Sequence, residues 1–342
     1  MSRERGGVNA KDRCLDWAYA AAWRLIRVMP ERAAAAVFRM AADAVSRRNG
    51  KGVTRLAANL RVVVGPSMPD EEFALLVRDA MRSYARYWLE AFRLPSLNQQ
   101  QRIDKYGFVG TETLLANAVP GRGCILVLPH SGNWDAAGAF VTANGMALTT
   151  VAERLKPEVL YRRFVAYRAT LGMEIVPLTG GDRATLDLLA ERLRAGVVVP
   201  LLADRDLSAR GVRVTFFGHQ TKMPAGPAIL ALRTGAPIYV VHNWYEPHRP
   251  KGLLSHEIVL TDTSGTFGDR VRRLTQLLAD ELARGIARHP ADWHMLGKMF
   301  IDDEAEATPT AQGSAAPAAG TPADRAADTR PAASTVASPG SG

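Results

Sequence analysis

Apolar residues in this chain follow two rhythms. The first is a set of short unbroken runs: Cys124-Ile125-Leu126-Val127-Leu128, then Val197 to Ala203, then Pro237 to Trp244. Runs of that length, bounded by glycine, proline or charge, predict strands covered on both faces. The second rhythm returns every three or four residues. After the helix-start signal Ser67-Met68-Pro69-Asp70, the positions Phe73, Leu76, Met81, Tyr84, Trp88 and Phe92 predict one long amphipathic helix stopping before Pro95. Beyond residue 123 the two rhythms alternate, with helices at 134–142, 157–171, 183–194, 226–234 and 267–288. Strands are predicted between them at 147–152, 174–177, 197–203, 211–217, 237–244 and 254–260. Upstream, 12–61 reads as an N-terminal helical hairpin broken at Pro30, 96–105 as a loop, 106–109 as a short strand and 111–118 as a helix. The order predicts an α/β fold: a mainly parallel central sheet flanked by helices.

Composition divides the chain further. From Asp302 onward only Val336 is a large aliphatic residue, too little to offset the entropy of ordering, so 302–342 reads as a disordered tail. That tail carries six acids and two bases, which leaves +13 on residues 1–301 against +9 for the whole chain. A strongly basic body points to a phosphate-bearing partner, whether lipid headgroup, nucleotide-bearing co-substrate or nucleic acid. Nucleic acid is disfavoured because the bases are spread over many elements and no aromatic-basic RNA motif occurs. Residues 1–65 are basic helices in which Trp17, Tyr19 and Trp23 interleave with Arg24 and Arg27. Such a segment suits either a membrane interface or an ordinary core-facing hairpin. The α/β core then spans 66–301. The two cysteines, Cys14 and Cys124, form no disulfide or zinc pattern, and no run near the N-terminus is long enough to span a bilayer.

The chemistry concentrates at the end of the first apolar run, where His130-Ser131-Gly132-Asn133-Trp134-Asp135 separates a strand from a helix. Loops at the carboxyl ends of strands line the crevice of an open α/β sheet, and the next helix offers unpaired N–H groups. His130 is therefore a candidate general base, steadied by a carboxylate on its far ring nitrogen. Two carboxylates compete for that place. Asp135 is close in sequence but five residues on, which is off the helical face, whereas Asp204 is delivered by the next buried strand as Asp204-Arg205-Asp206. Asp204 is favoured as the partner and Asp135 is given a supporting role.

Further motifs extend the pattern: Arg168 ahead of Leu171-Gly172 and Val176-Pro177, Phe216-Phe217-Gly218, and Gly226-Pro227-Ala228 leading to Thr234-Gly235-Ala236-Pro237. Together with the His-x4-Asp signature and Asp204-Arg205-Asp206-Leu207, they resemble the lipid A biosynthesis acyltransferase branch of the lysophospholipid acyltransferase superfamily, over about residues 100 to 300. Within that family, VAERLKPE, ADRDL, VTFFG and HPADWHMLGKMF look most like the phosphatidylinositol mannoside acyltransferases of actinobacteria. The resemblance implies a glycerolipid-acyltransferase-like fold and transfer of a palmitoyl-like acyl group from acyl-CoA to the mannose 6-hydroxyl of a mannosylated phosphoinositide. It implies a peripheral enzyme at the cytoplasmic face of the inner membrane, with acyl-CoA as co-substrate and no metal or other cofactor. The phosphates call for arginine forks; Arg168, matched to the family position, is the first choice, followed by Arg210 and Arg233. A lipid A-type or other glycolipid acyltransferase, a thioesterase on the same site, and a non-catalytic lipid-binding protein are the alternatives.

Overall fold

Five consecutive apolar residues form a stable strand only when both faces are covered, and Cys124–Leu128 (β2) is buried along its whole length. The structure is a computed structural model that describes residues 21, 23–153, 158–178, 184–206 and 211–301. The expected tail, Cys14, Arg210 and the start of the first helix lie outside the described residues. β2 is the middle strand of a seven-stranded sheet, flanked by β5 (Val198–Leu202) and β8 (Ile238–Tyr245), both parallel to it. Past β5 the parallel order continues through β3 (Leu148–Ala152) to β4 (Met173–Pro177). On the other side β9 (Pro250–Leu254) returns antiparallel to β8 and carries β1 (Gly107–Val109) on its outer edge. The sheet is thus mainly parallel, as the alternation of strands and helices predicts.

Alternate side chains of β2 enter two apolar layers. Ile125 and Val127 pack with residues of α2 (Lys51–Val64), α3 (Asp70–Arg93), α8 (Thr185–Arg194), α9 (Gly226–Thr234) and α10 (Phe267–Arg288). Cys124, Leu126 and Leu128 meet α6 (Trp134–Ala143), α7 (Glu158–Thr170) and Leu114 of α5 (Thr111–Asn117). The N-terminal α1 (Glu31–Arg48) packs along α3, while Leu56 and Leu60 of α2 are fully buried in the first layer.

Three elements differ from the sequence reading. The stretch expected to be a loop contains α4 (Gln99–Lys105), started by a capping box between Asn98 and Gln101; its polar sequence gives no hydrophobic period to betray it. The strand expected through Phe217 instead ends at Phe216 as β6 (Val212–Phe216). It turns at Phe217 and Gly218, both with positive φ, and pairs with β7 (His219–Met223) in a separate hairpin. The strand expected at 254–260 lies earlier, at Pro250–Leu254, and 255–260 is irregular: the turn after β8 closes tightly, Glu246 N–H donating to the Arg249 carbonyl, so pairing restarts at Pro250 and ends at Leu254.

Candidate active site

Parallel pairing of β2 with β5 sets Leu128 opposite Leu202, and the Ala203 N–H donates to the Leu128 carbonyl. Both chains therefore leave the sheet side by side at its carboxyl edge. Two residues further on, His130 meets Asp204 across a gap of 74 positions in sequence. The His130 Nδ1 lies 2.6 Å from Asp204 Oδ1, and the His130 backbone N–H donates to Oδ2 at 2.9 Å. A third donor, the indole N–H of Trp293, reaches Oδ2 at 2.9 Å. Burial alone would push the Asp204 carboxyl up. The His130 charge, its two hydrogen bonds and the Trp293 bond outweigh that and hold Asp204 below the usual carboxylate range. An ionised carboxylate only accepts, so Nδ1 carries the proton that faces Asp204, and Nε2, on a side chain that is 30% exposed, is the nitrogen that the neutral imidazole has bare.

The loop that holds His130 is shaped from a distant part of the chain. Gly132 adopts φ +57°, and its close approach to β8 leaves no room for a side chain: a Cβ there would lie 2.8 Å from the Trp244 nitrogen. Its N–H donates to the Asp292 carbonyl at 2.9 Å, the His294 N–H donates to the His130 carbonyl at 2.7 Å, and Ser131 bridges Trp293. Residues 292–294 thus clasp residues 130–132 edge to edge. The buried ring of His294 accompanies His130 in the wall of the same cavity, with Nε2 on the Ser83 hydroxyl at 2.8 Å. Burial first, and the neighbouring His130 second, push His294 down to about 3.

Asp135 lies on the first turn of α6 and does not face His130. It accepts from Arg168 Nε at 2.7 Å and from the Tyr87 hydroxyl at 2.8 Å, with 2% of its surface exposed. The off-face spacing seen in the sequence has this as its outcome: the carboxylate points toward α7 and α3. Arg168 is held there by Asp135 while still lining the cavity beside His130. Arg233 is not brought to the site. It sits on α9, in the layer across the sheet from α6, and pairs with Asp187 of α8 at 2.7 Å.

The cavity at His130 has a volume of about 560 Å³. Tyr84, Tyr87 and Trp88 of α3 form one wall; Trp134, Phe164 and Leu202 contribute apolar surface, and Arg55 joins it together with Arg205, which the sequence reading named only as part of Asp204-Arg205-Asp206. Two small apolar voids, about 50 and 20 Å³, share Trp134 with it and reach past Leu148, Met173 and Pro200 to Phe140, Phe108 and Leu114. A larger cavity, about 830 Å³, opens on the other face of α3, but neither His130 nor Asp204 lines it. Among the described residues, no group of three or more His, Cys, Asp or Glu side chains is placed to hold a metal ion, and no helix is long and apolar enough to cross a membrane.

Known proteins are similar to this chain over most of its length. Residues 7–301 match the family described as bacterial lipid A biosynthesis acyltransferase. A phosphatidylinositol mannoside acyltransferase of Mycolicibacterium smegmatis is 48% identical over 291 residues, 84% of this chain and 92% of that protein. A protein of the same name from Mycobacterium tuberculosis is 45% identical over 296 residues, 85% of this chain and 90% of that one. By the extent of the family match and the identity to these relatives, the chain belongs to the bacterial lipid A biosynthesis acyltransferase family.

Proposed function

We propose that this protein transfers a long fatty acyl group from acyl-CoA to the mannose 6-hydroxyl of a phosphatidylinositol mannoside, with His130 as general base. The observation that carries the reading is the His130–Asp204 pair: a buried carboxylate fixes the imidazole so that its bare nitrogen faces a cavity continuous with apolar walls. The names of the two mycobacterial relatives support the acceptor. A sugar hydroxyl is a weak nucleophile at neutral pH, so Nε2 takes its proton as the oxygen attacks the thioester carbonyl. The tetrahedral intermediate then collapses, the carbon–sulfur bond breaks, and the imidazolium returns the proton to the departing thiolate. General base catalysis of this kind contributes ~10²–10⁴ in rate.

Positioning of the intermediate's oxyanion falls to backbone donors at the start of α6. Gly132 N–H is taken by Asp292, so Asn133 and Trp134 N–H are the candidates that remain. The acyl chain is assigned to the apolar wall of the His130 cavity, where Trp88, Trp134, Phe164 and Leu202 lie. Membrane contact is assigned to the N-terminal helices, where Leu25, Val28, Val37, Met40 and Val45 are exposed among Arg24, Arg27, Arg32, Arg39, Arg47 and Arg48. The reading is of a peripheral protein at the cytoplasmic face of the membrane, supported by this mixture of exposed apolar and basic side chains. The test is direct. Purified protein is given palmitoyl-CoA or palmitoyl-acyl carrier protein, with phosphatidylinositol mannoside, a lipid A precursor or water as acceptor, and products are identified by mass spectrometry. Acylated mannoside from the CoA donor, abolished by His130→Ala with the melting temperature retained, is the expected result. Fatty acid as the dominant product makes it a thioesterase, and full activity in His130→Ala overturns the mechanism.

A further inference from the structure

Arg168, the arginine first expected to hold phosphate, is already committed to Asp135, so the cations free to meet an anion in the His130 cavity must be found elsewhere. Besides Arg168, the arginines and carboxylates on its wall are Arg55, Arg205 and Glu153. Arg55 and Arg205 are exposed, and among the described residues neither has a hydrogen bond or ion pair. We propose that Arg55 and Arg205 together form a phosphate-binding station for a substrate entering this cavity; the proposal rests on the acyl-transfer reading above.

The two arginines come from different elements, α2 and the loop after β5, yet they are rooted in one piece of backbone. Asn59, one helical turn after Arg55 on α2 and 4% exposed, donates through Nδ2 to the carbonyls of Met295 and Gly297 at 2.8 Å each. The segment so pinned carries Gly297, against which the Arg205 guanidinium lies: a Cβ on Gly297 would come within 3.0 Å of Arg205 Cζ and 3.1 Å of Nη1. Gly297 therefore leaves the space that the arginine head occupies. Arg205 is also the residue after Asp204, so the station and the base are fixed by the same strand end. With Arg168 paired to Asp135, the two guanidinium groups that have no partner among the described residues outnumber the one acid, Glu153, on the cavity wall. Guanidinium forks match the spacing of two phosphate oxygens, which favours phosphate over a carboxylate-free sugar or acyl group as the ligand.

Phosphate reaches this cavity on either substrate, as the phosphates of coenzyme A or as the phosphodiester of the lipid acceptor, and the experiment separates them. Arg55→Gln, Arg205→Gln and the double variant are compared in steady-state kinetics with palmitoyl-CoA and with palmitoyl-pantetheine, which lacks phosphate. Calorimetric binding of coenzyme A alone gives a readout that needs no turnover. If the station holds the donor, KM for palmitoyl-CoA and Kd for coenzyme A rise about tenfold or more in the double variant, while kcat and the palmitoyl-pantetheine reaction change little. If it holds the acceptor, coenzyme A binding is unaltered and KM for the phosphoinositide rises instead. Gly297→Ala, which displaces the Arg205 head without removing its charge, should raise the same KM. The proposal is overturned if neither KM nor the coenzyme A Kd moves, or if kcat alone falls equally with both donors, which marks the arginines as structural. Should the wild-type protein bind coenzyme A through these arginines yet acylate nothing, the station stands and the acyl-transfer reading fails.

Discussion

Replacing Asp204 by Asn removes a charge while keeping the shape, and the three donors around that carboxylate decide the consequence. The His130 N–H and the Trp293 indole N–H both point at Oδ2, so the new amide oxygen settles there. The amide nitrogen then faces His130 Nδ1 in the place of Oδ1, 2.6 Å away in the wild type, and donor meets donor. Moving the imidazole proton to Nε2 relieves the conflict, but Nε2 is the atom that has to be bare to accept a proton from the substrate. Keeping the active tautomer instead leaves buried donors unpaired, about 1–3 kcal/mol. The imidazolium formed during the reaction also loses a carboxylate, roughly 4 kcal/mol for unit charges some 4 Å apart at an effective dielectric of about 20. The sum, about 5–7 kcal/mol, corresponds to a fall in kcat of roughly 10⁴ or more, comparable to the ~10⁴ of an Asp→Asn change in a histidine-dependent triad. The assay is kcat at saturating donor and acceptor, with the melting temperature and near-ultraviolet circular dichroism as checks on the fold. A variant within tenfold of wild type with an unaltered fold would refute the idea that Asp204 sets the tautomer. Stability gives a second check on the same residue. Asp204 is depressed below its unfolded value of ~3.9, so its contribution is present above about pH 4 and is lost as pH falls through the folded value. The stability gap between wild type and Asp204→Asn should therefore narrow at acid pH.

Three other outcomes follow from the packing. Asp135→Ala leaves Arg168 charged and nearly buried without its partner, which should cost about 3–5 kcal/mol in urea unfolding; a loss under 1 kcal/mol would mean the pair is solvated. His294 keeps a folded value of about 3 against ~6.5 unfolded, so below pH 6.5 the unfolded chain takes up a proton that the folded one refuses. Stability should fall by up to ~1.4 kcal/mol per pH unit from this group on acidification, and His294→Gln should flatten that slope between pH 6.5 and 5. Gly285→Ala puts a methyl group into the His242 imidazole, itself held by Glu281 at 2.9 Å, and should destabilise by about 1–3 kcal/mol or more. Adding His242→Ala should recover part of that loss, and simple additivity in the double-mutant cycle would show that the two sites do not touch.

Local sequence was enough for the elements that advertise themselves by period. β2 and β5 are unbroken apolar runs, α3 and α10 repeat their apolar residues at helical spacing, and the regular alternation between the two kinds of segment specifies a mainly parallel sheet. The turn that exposes His130 was equally plain, because Gly132 and Asn133 are a break and a helix cap whatever the rest of the chain does. α4 and β7 were silent because Gln99–Lys105 and His219–Met223 are polar and carry no period; a capping box and a two-residue turn make them.

The site itself depends on which segments become neighbours, and that is settled by strand order and not by spacing. Asp204 touches the imidazole because β5 lies beside β2, while Asp135, only five residues from His130, turns away to Arg168. The clasp of 292–294 on 130–132 and the convergence of Arg55 with Arg205 join segments far apart in the chain, whereas Arg233 was carried to the opposite layer. A sequence records each residue's chemistry and its near neighbours, but burial, the pairing of Arg168 with Asp135, and the placing of Arg205 against Gly297 are properties of packing. Local periodicity therefore determined the framework and the histidine, and only the closing of the sheet decided which charges surround it.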